Sequence, residues 1–137
     1  MAAAKDGSLW AGMYSTGLVN WKNGKVLESV SAGSPLFGSQ IRALLEDRHG
    51  NLWIGTDGGL VGFKRGRFQA LTVRDGLTHN LVLSLHEDRE GSLWVGTRDG
   101  LTRLKDAPFI ARDSSNGLAD DNVRAVVEDA AGSLWIG

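Results

Sequence analysis

The chain has 137 residues, 15 basic against 16 acidic side chains and no cysteine, which excludes disulfides, thiolate metal sites and cysteine nucleophiles and leaves no basic footprint for nucleic acid. No apolar run approaches the ~20 residues that cross a bilayer, and residues 1–6 hold no apolar segment of a signal peptide. Nineteen glycines beside 2 prolines, and 5 tryptophans beside 1 tyrosine, predict many tight turns and therefore many short elements.

The phrase Gly-x-Leu-Trp recurs at residues 7–10, 50–53, 91–94 and 132–135. Its tryptophans, Trp10, Trp53, Trp94 and Trp135, are 43, 41 and 41 residues apart. This beat divides the chain into units of about residues 1–35, 36–76 and 77–117, with 118–137 the start of a fourth.

The first unit departs slightly from the others. It is read as opening on its second strand, and Ala4 stands where the later units carry Asp47, Asp88 and Asp129. Its loop from Gly12 to Gly17 is one residue longer than that from Gly55 to Gly59, and Pro35-Leu36 replaces Gly76-Leu77 and Gly117-Leu118. The second unit shows the full pattern. Strands are predicted over residues 41–46, 52–56, 60–64 and 68–74, separated by turns at 47–50, 57–59 and 65–67. Residues 75–80 form a loop into the third unit, which repeats the scheme. The last unit stops inside its second strand.

Four short antiparallel strands per unit, joined by tight turns, make a meander. A glycine and aromatic signature every ~41 residues is that of a β-propeller blade. The expected fold is therefore all-β: about three propeller blades, in an incomplete ring or one completed by oligomerisation. One blade cannot bury both faces alone, so the near-continuous apolar run at residues 41–45 marks a strand covered on both sides. The motif tryptophans read as packing groups between blades, and Asp47, Asp88 and Asp129 as structural residues that cap the turn after the first strand. The Glu46-Asp47, Glu87-Asp88 and Glu128-Asp129 pairs are not read as paired catalytic carboxylates. Neighbours in a strand point to opposite faces, and a catalytic pair need not recur in every unit.

Residues 41–56 followed by Gly59-Leu60 resemble the two-component regulator propeller repeat. So do residues 82–97 with Gly100-Leu101, residues 123–137 in the front half of the pattern, and the Asp75-Gly76-Leu77 loop. The resemblance implies the extracytoplasmic, periplasmic sensor region of a bacterial inner-membrane receptor. In that family a membrane helix and an output module, commonly a histidine kinase or a diguanylate cyclase, follow in the chain. It further implies ligand sensing, often of carbohydrates, without chemistry in the propeller. Two accounts fit so few blades: a piece of a longer receptor, or a ring of about six or seven blades from two chains, against the usual ~4–8. A piece that also self-associates, or meets further blades of its receptor, is the expectation.

No nucleophile elbow, phosphate loop or zinc-helix motif is present, and His49, His79 and His86 share no short spacing, so no catalytic residue, metal site or cofactor is expected. Ligand contacts are sought in what the units do not share. The loop between units and the loop between strands two and three fall on one face of a meander blade. That face offers Tyr14, Ser15, Asp57, His79, Asn80, Arg98, Asp120, Asp121 and Asn122. Their phenol, amide and guanidinium groups suit a carbohydrate or other small polar ligand; the plainer reading is solvated loop. Two alternatives stand beside the sensor: a propeller lyase resembling the streptogramin lyases, with His79 at its axis, and a self-assembling structural repeat without a ligand. Neither nucleic acid nor membrane contact is expected of this segment.

Overall fold

The computed structural model describes residues 1–13, 17–30, 40–105, 110–112, 118 and 122–137. The first sheet holds β1 (Ala2–Ala3), β2 (Leu9–Met13), β3 (Gly17–Lys22) and β4 (Lys25–Val30). The second holds β5 (Ile41–Glu46), β6 (Leu52–Thr56), β7 (Leu60–Lys64) and β8 (Arg67–Leu71). The third holds β9 (Val82–Glu87), β10 (Leu93–Thr97), β11 (Gly100–Leu104) and β12 (Ile110–Arg112), and the fourth β13 (Val126–Glu128) and β14 (Leu134–Ile136). Spatial order follows chain order in every sheet and all pairs are antiparallel. The chain is all-β, built of propeller blades.

Two expectations are corrected. The first unit does not open on its second strand, because Ala2 pairs with Trp10 and Ala3 with Leu9 as a short first strand. The fourth strand of the second unit ends at Leu71 rather than residue 74. There Thr72 caps a 3-10 turn over Val73–Asp75: its Oγ1 accepts from the Arg74 amide at 3.3 Å, and its own amide donates to the Asp75 carboxylate at 2.9 Å. That local capping outcompetes continued strand pairing. The turn before this strand is also tighter than expected. Lys64 pairs with Arg67 across two residues, Arg65 and Gly66, at φ 50° and 76°. Positive φ at both positions matches the right-handed twist of the flanking strands.

β1, β5, β9 and β13 stand side by side, so the first strand of each sheet is the inner one. The core lies between sheets rather than within them. Trp10 and Leu18 of the first sheet pack on Leu52, Ile54, Val61 and Phe63 of the second. Trp53 and Leu60 of the second meet Val82, Leu93 and Val95 of the third. Trp94 and Leu101 of the third meet Val123 and Val126 of the fourth. Each of these tryptophans covers the sheet that follows it. Trp10 is only 7% exposed, whereas Trp135 is 66% exposed. No described sheet follows the fourth to cover it.

The sheets approach closely because β2, β6 and β10 carry glycine where they face the next inner strand. A Cβ on Gly12 would stand 2.6 Å from Ile41 Cγ2, and one on Gly55 2.6 Å from Val82 Cγ1. Gly55→Ala is expected to cost about 1–3 kcal/mol by overpacking. A lower urea midpoint at unchanged slope is the sign to look for; an unshifted midpoint would mean the sheets part without penalty.

In the last three units the turn after the first strand is fastened by a carboxylate. Asp47 Oδ1 accepts from the His49 and Asn51 amides, both at 2.9 Å, and its Oδ2 accepts from Trp53 Nε1 at 2.9 Å. Asp88 treats Glu90, Ser92 and Trp94 alike, with the indole at 2.8 Å, and Asp129 treats Ala131, Ser133 and Trp135 alike, with the indole at 3.0 Å. Burial pushes the Asp47 carboxyl up, but its hydrogen bonds from Asn51, Trp53 and His49 outweigh that and hold it below the usual carboxylate range. Asp88 is lowered by the same balance.

A second fastening links one sheet to the next. The Arg48 amide and Nε donate to the Glu87 carboxylate at 2.9 and 2.8 Å, and Arg48 Nη2 reaches the Asp88 carbonyl at 2.7 Å. One unit later, the Arg89 amide donates to Glu128 at 3.1 Å and its guanidinium to the Asp129 and Ala130 carbonyls at 2.9 and 2.8 Å. One unit earlier, the Lys5 amide donates to Glu46 at 3.1 Å and Lys5 Nζ to the Arg48 carbonyl. The Arg48–Glu87 pair is half-exposed, so a double-mutant cycle with Arg48→Ala and Glu87→Ala is expected to give a coupling of about 0.5–1 kcal/mol that weakens with salt. Strict additivity would deny the pair a part in joining the sheets.

Candidate functional site

The entries to β5 and β9 are each tied to the loop between the second and third strands of their own sheet. The Asp57 amide donates to the Gln40 carbonyl at 3.2 Å, and the Gln40 amide donates to Asp57 Oδ1 at 3.1 Å. One unit later the Arg98 amide donates to the Leu81 carbonyl at 3.1 Å. Thr56 and Thr97 tighten these loops by donating to the Gly59 and Gly100 carbonyls, both at 2.9 Å.

The expected ligand residues fall into three groups. Asp57 and Arg98 are exposed on these loops, and Asn122 is exposed at the entry to the fourth sheet. Asn80 is turned to structural use, since its Oδ1 accepts from the Val73 amide at 2.9 Å. His79 is largely so: Nδ1 accepts from the Leu81 amide at 2.8 Å, while Nε2 lies 3.9 Å from the Asp99 carboxylate. Tyr14, Ser15, Asp120 and Asp121 lie outside the described residues. Among the described residues no group of three histidine, aspartate or glutamate side chains is placed to hold a metal ion.

The same side of the blades holds an open cleft of ≈ 530 Å³. It is lined by Gly12 and Met13 of β2, Gln40 at the entry to β5, Ile41 and Arg42 of β5, Leu83 of β9, and Arg124 at the entry to β13. Arg42, Leu83 and Arg124 are spaced 41 residues apart, one per unit. Each belongs to a β-bulge. In β5, Ile41 pairs with Thr56 and Ala43 with Gly55, so Arg42 has no partner across the strand. In β9, Val82 pairs with Thr97 and Ser84 with Gly96, which leaves Leu83 over. In the fourth unit the Arg124 and Ala125 amides both donate to the Gly137 carbonyl at 2.7 Å, two residues opposite one.

Sequence reasoning missed these positions because it sought the site in loops, whereas they lie on or beside inner strands. The signal was nonetheless present. Each sits directly after the repeat residue Ile41, Val82 or Val123, and two of the three are arginines in an otherwise apolar run.

A family model described as two component regulator propeller matches residues 35–58, 76–99 and 117–137. No curated protein sequence matches the chain. Among solved structures, the extracellular domain of a protein described as a hybrid two-component system from B. thetaiotaomicron is 28% identical, covers 98% of this chain and superposes at a TM-score of 0.77. This chain spans only 19% of that one. Another such extracellular domain from the same organism is 18% identical over 96% of this chain and 25% of its own, at a TM-score of 0.55. Virginiamycin B lyase from Staphylococcus aureus is 11% identical over 98% of this chain and 46% of its own, at a TM-score of 0.71. The last two likenesses are likenesses of fold alone. With its repeats matched over half its length, the chain belongs to the two-component regulator propeller family.

Proposed function

We propose that this chain is a non-catalytic recognition segment of the sensor propeller of a bacterial two-component receptor, standing on the extracytoplasmic side of the membrane. The observation that carries the reading is its 28% identity, across 98% of its length, to an extracellular domain described as that of a hybrid two-component system. The cleft and the loops beside it present polar and cationic groups around an open recess, which suits a saccharide or another small polar ligand. Binding there alters output elsewhere in the receptor through the arrangement of its domains. The described residues contain no helix long and apolar enough to cross a membrane.

The test joins binding to output in the receptor that carries this segment. A panel of mono- and oligosaccharides is titrated by calorimetry, and output activity is measured with the same panel in membranes. At least one saccharide should bind and change the output, and Asp57→Ala with Arg98→Ala should weaken both responses together. Output indifferent to every sugar that binds, or a panel in which none binds, would overturn the reading.

A further inference from the structure

We infer that Arg42 and Arg124, set one to a unit with Leu83 between them, form an oxyanion site in the cleft and bind a carboxylate or sulfate group of the ligand. The use of that site in signalling rests on the sensor reading above; its chemistry does not.

The bulges carry the argument. A regular inner strand points its side chains alternately at the sheets on either side, where Ile41, Val82 and Val123 indeed lie among the buried contacts between sheets or against them. An inserted residue is released from that alternation and its side chain is re-aimed. The same insertion recurs with the 41-residue beat, and all three inserted residues line one cleft. It therefore turns one side chain from each of the second, third and fourth units toward a common space.

The side chains so turned fix the ligand's charge. A guanidinium is planar, always charged and matched in geometry to carboxylate and sulfate oxygens. Arg48, Arg89 and Arg103 each pair with a glutamate, whereas among the described residues neither Arg42 nor Arg124 forms an ion pair. Arg42 is instead steered by a neutral group, its Nη2 donating to Gln40 Oε1 at 2.9 Å. Two like charges facing one recess repel, and an anion between them reverses that cost. Leu83 supplies an apolar wall beside them.

The probes are D-glucuronate, inorganic sulfate and D-glucose, each titrated at low ionic strength into the whole chain while arginine Nε–Hε resonances are followed. Glucuronate or sulfate should move the Arg42 and Arg124 resonances along one saturation curve, and glucose should leave them still. The two anion arms tell a carboxylate ligand from a sulfated one. Arg42→Ala and Arg124→Ala should each weaken anion binding at least tenfold without changing the melting temperature, because both side chains are exposed. Leu83→Arg adds a third guanidinium and should tighten binding, a gain that misfolding cannot imitate. Equal shifts at every arginine, or double-variant binding like that of the parent, would overturn the site. A receptor that loses no response to its own ligand when both arginines are alanine also sinks it, yet leaves the sensor reading standing.

Discussion

Trp53→Ala is expected to lower unfolding free energy by about 3–4 kcal/mol, which for a chain of this size moves the melting temperature down by roughly 10–15 °C. The indole packs against the cluster of Leu60, Leu77, Val82, Leu93 and Val95, so its loss opens a cavity where two sheets meet. It also leaves the Asp47 carboxylate without the Nε1 donor at 2.9 Å. Trp135→Ala provides the internal comparison. That side chain makes the same bond to Asp129 but is 66% exposed, and its removal should cost well under half as much. Equal losses for the two variants would show that the tryptophans act through the turn alone and not by joining sheets.

The second large effect belongs to Asp47. Asp47→Ala strips the acceptor from the His49 and Asn51 amides, Asn51 Nδ2 and the Trp53 indole, in a residue only 8% exposed. Losing charge-assisted bonds and stranding their donors should cost about 2–4 kcal/mol. The pH dependence has a definite sign. Because the folded carboxyl titrates below its unfolded value of about 3.9, its contribution is complete above that value and is lost as pH falls through the lower folded one. Asp88 behaves in the same way. Chemical denaturation from pH 7 down to pH 2 should therefore show a falling acid limb in the parent that is shallower in Asp47→Asn. Parallel limbs in the two proteins would remove this carboxylate from the account of acid stability.

Much of this architecture can be read from the chain because the repeat samples each position several times. Strands 41–46, 52–56 and 60–64 were delimited by their turn residues, and their bounds match those observed. The beat also marked the tryptophans and aspartates, but spacing alone does not reveal that one bonds the other. That contact spans six residues and depends on how the turn folds back. The link between Arg48 and Glu87 was hidden for another reason. Its partners are 39 residues apart, and basic residues after a turn look like ordinary solvated surface. Strand 68–74 was overrun because Thr72 and Asp75 satisfy a local cap that a period-two reading does not weigh. The cleft was legible only in part: its arginines stand out in apolar runs, but a bulge is a fault in register, visible only once both strands are paired.

The link between sheets has one remaining consequence, which concerns symmetry. The basic residue belongs to the earlier unit and the glutamate to the later one in each link: the Lys5 amide donates to Glu46, and the Arg48 and Arg89 amides and guanidinium groups face Glu87 and Glu128. The two broad surfaces of a blade are thus unlike, a plug on one and a socket on the other. A twofold axis passing through a join would oppose plug to plug, so copies of the chain can reproduce it only head to tail, as in a ring of two chains whose twofold runs down its centre. Any assembly that extends it must be heterologous, and its rotation per blade then decides between a closed circle and an unending filament.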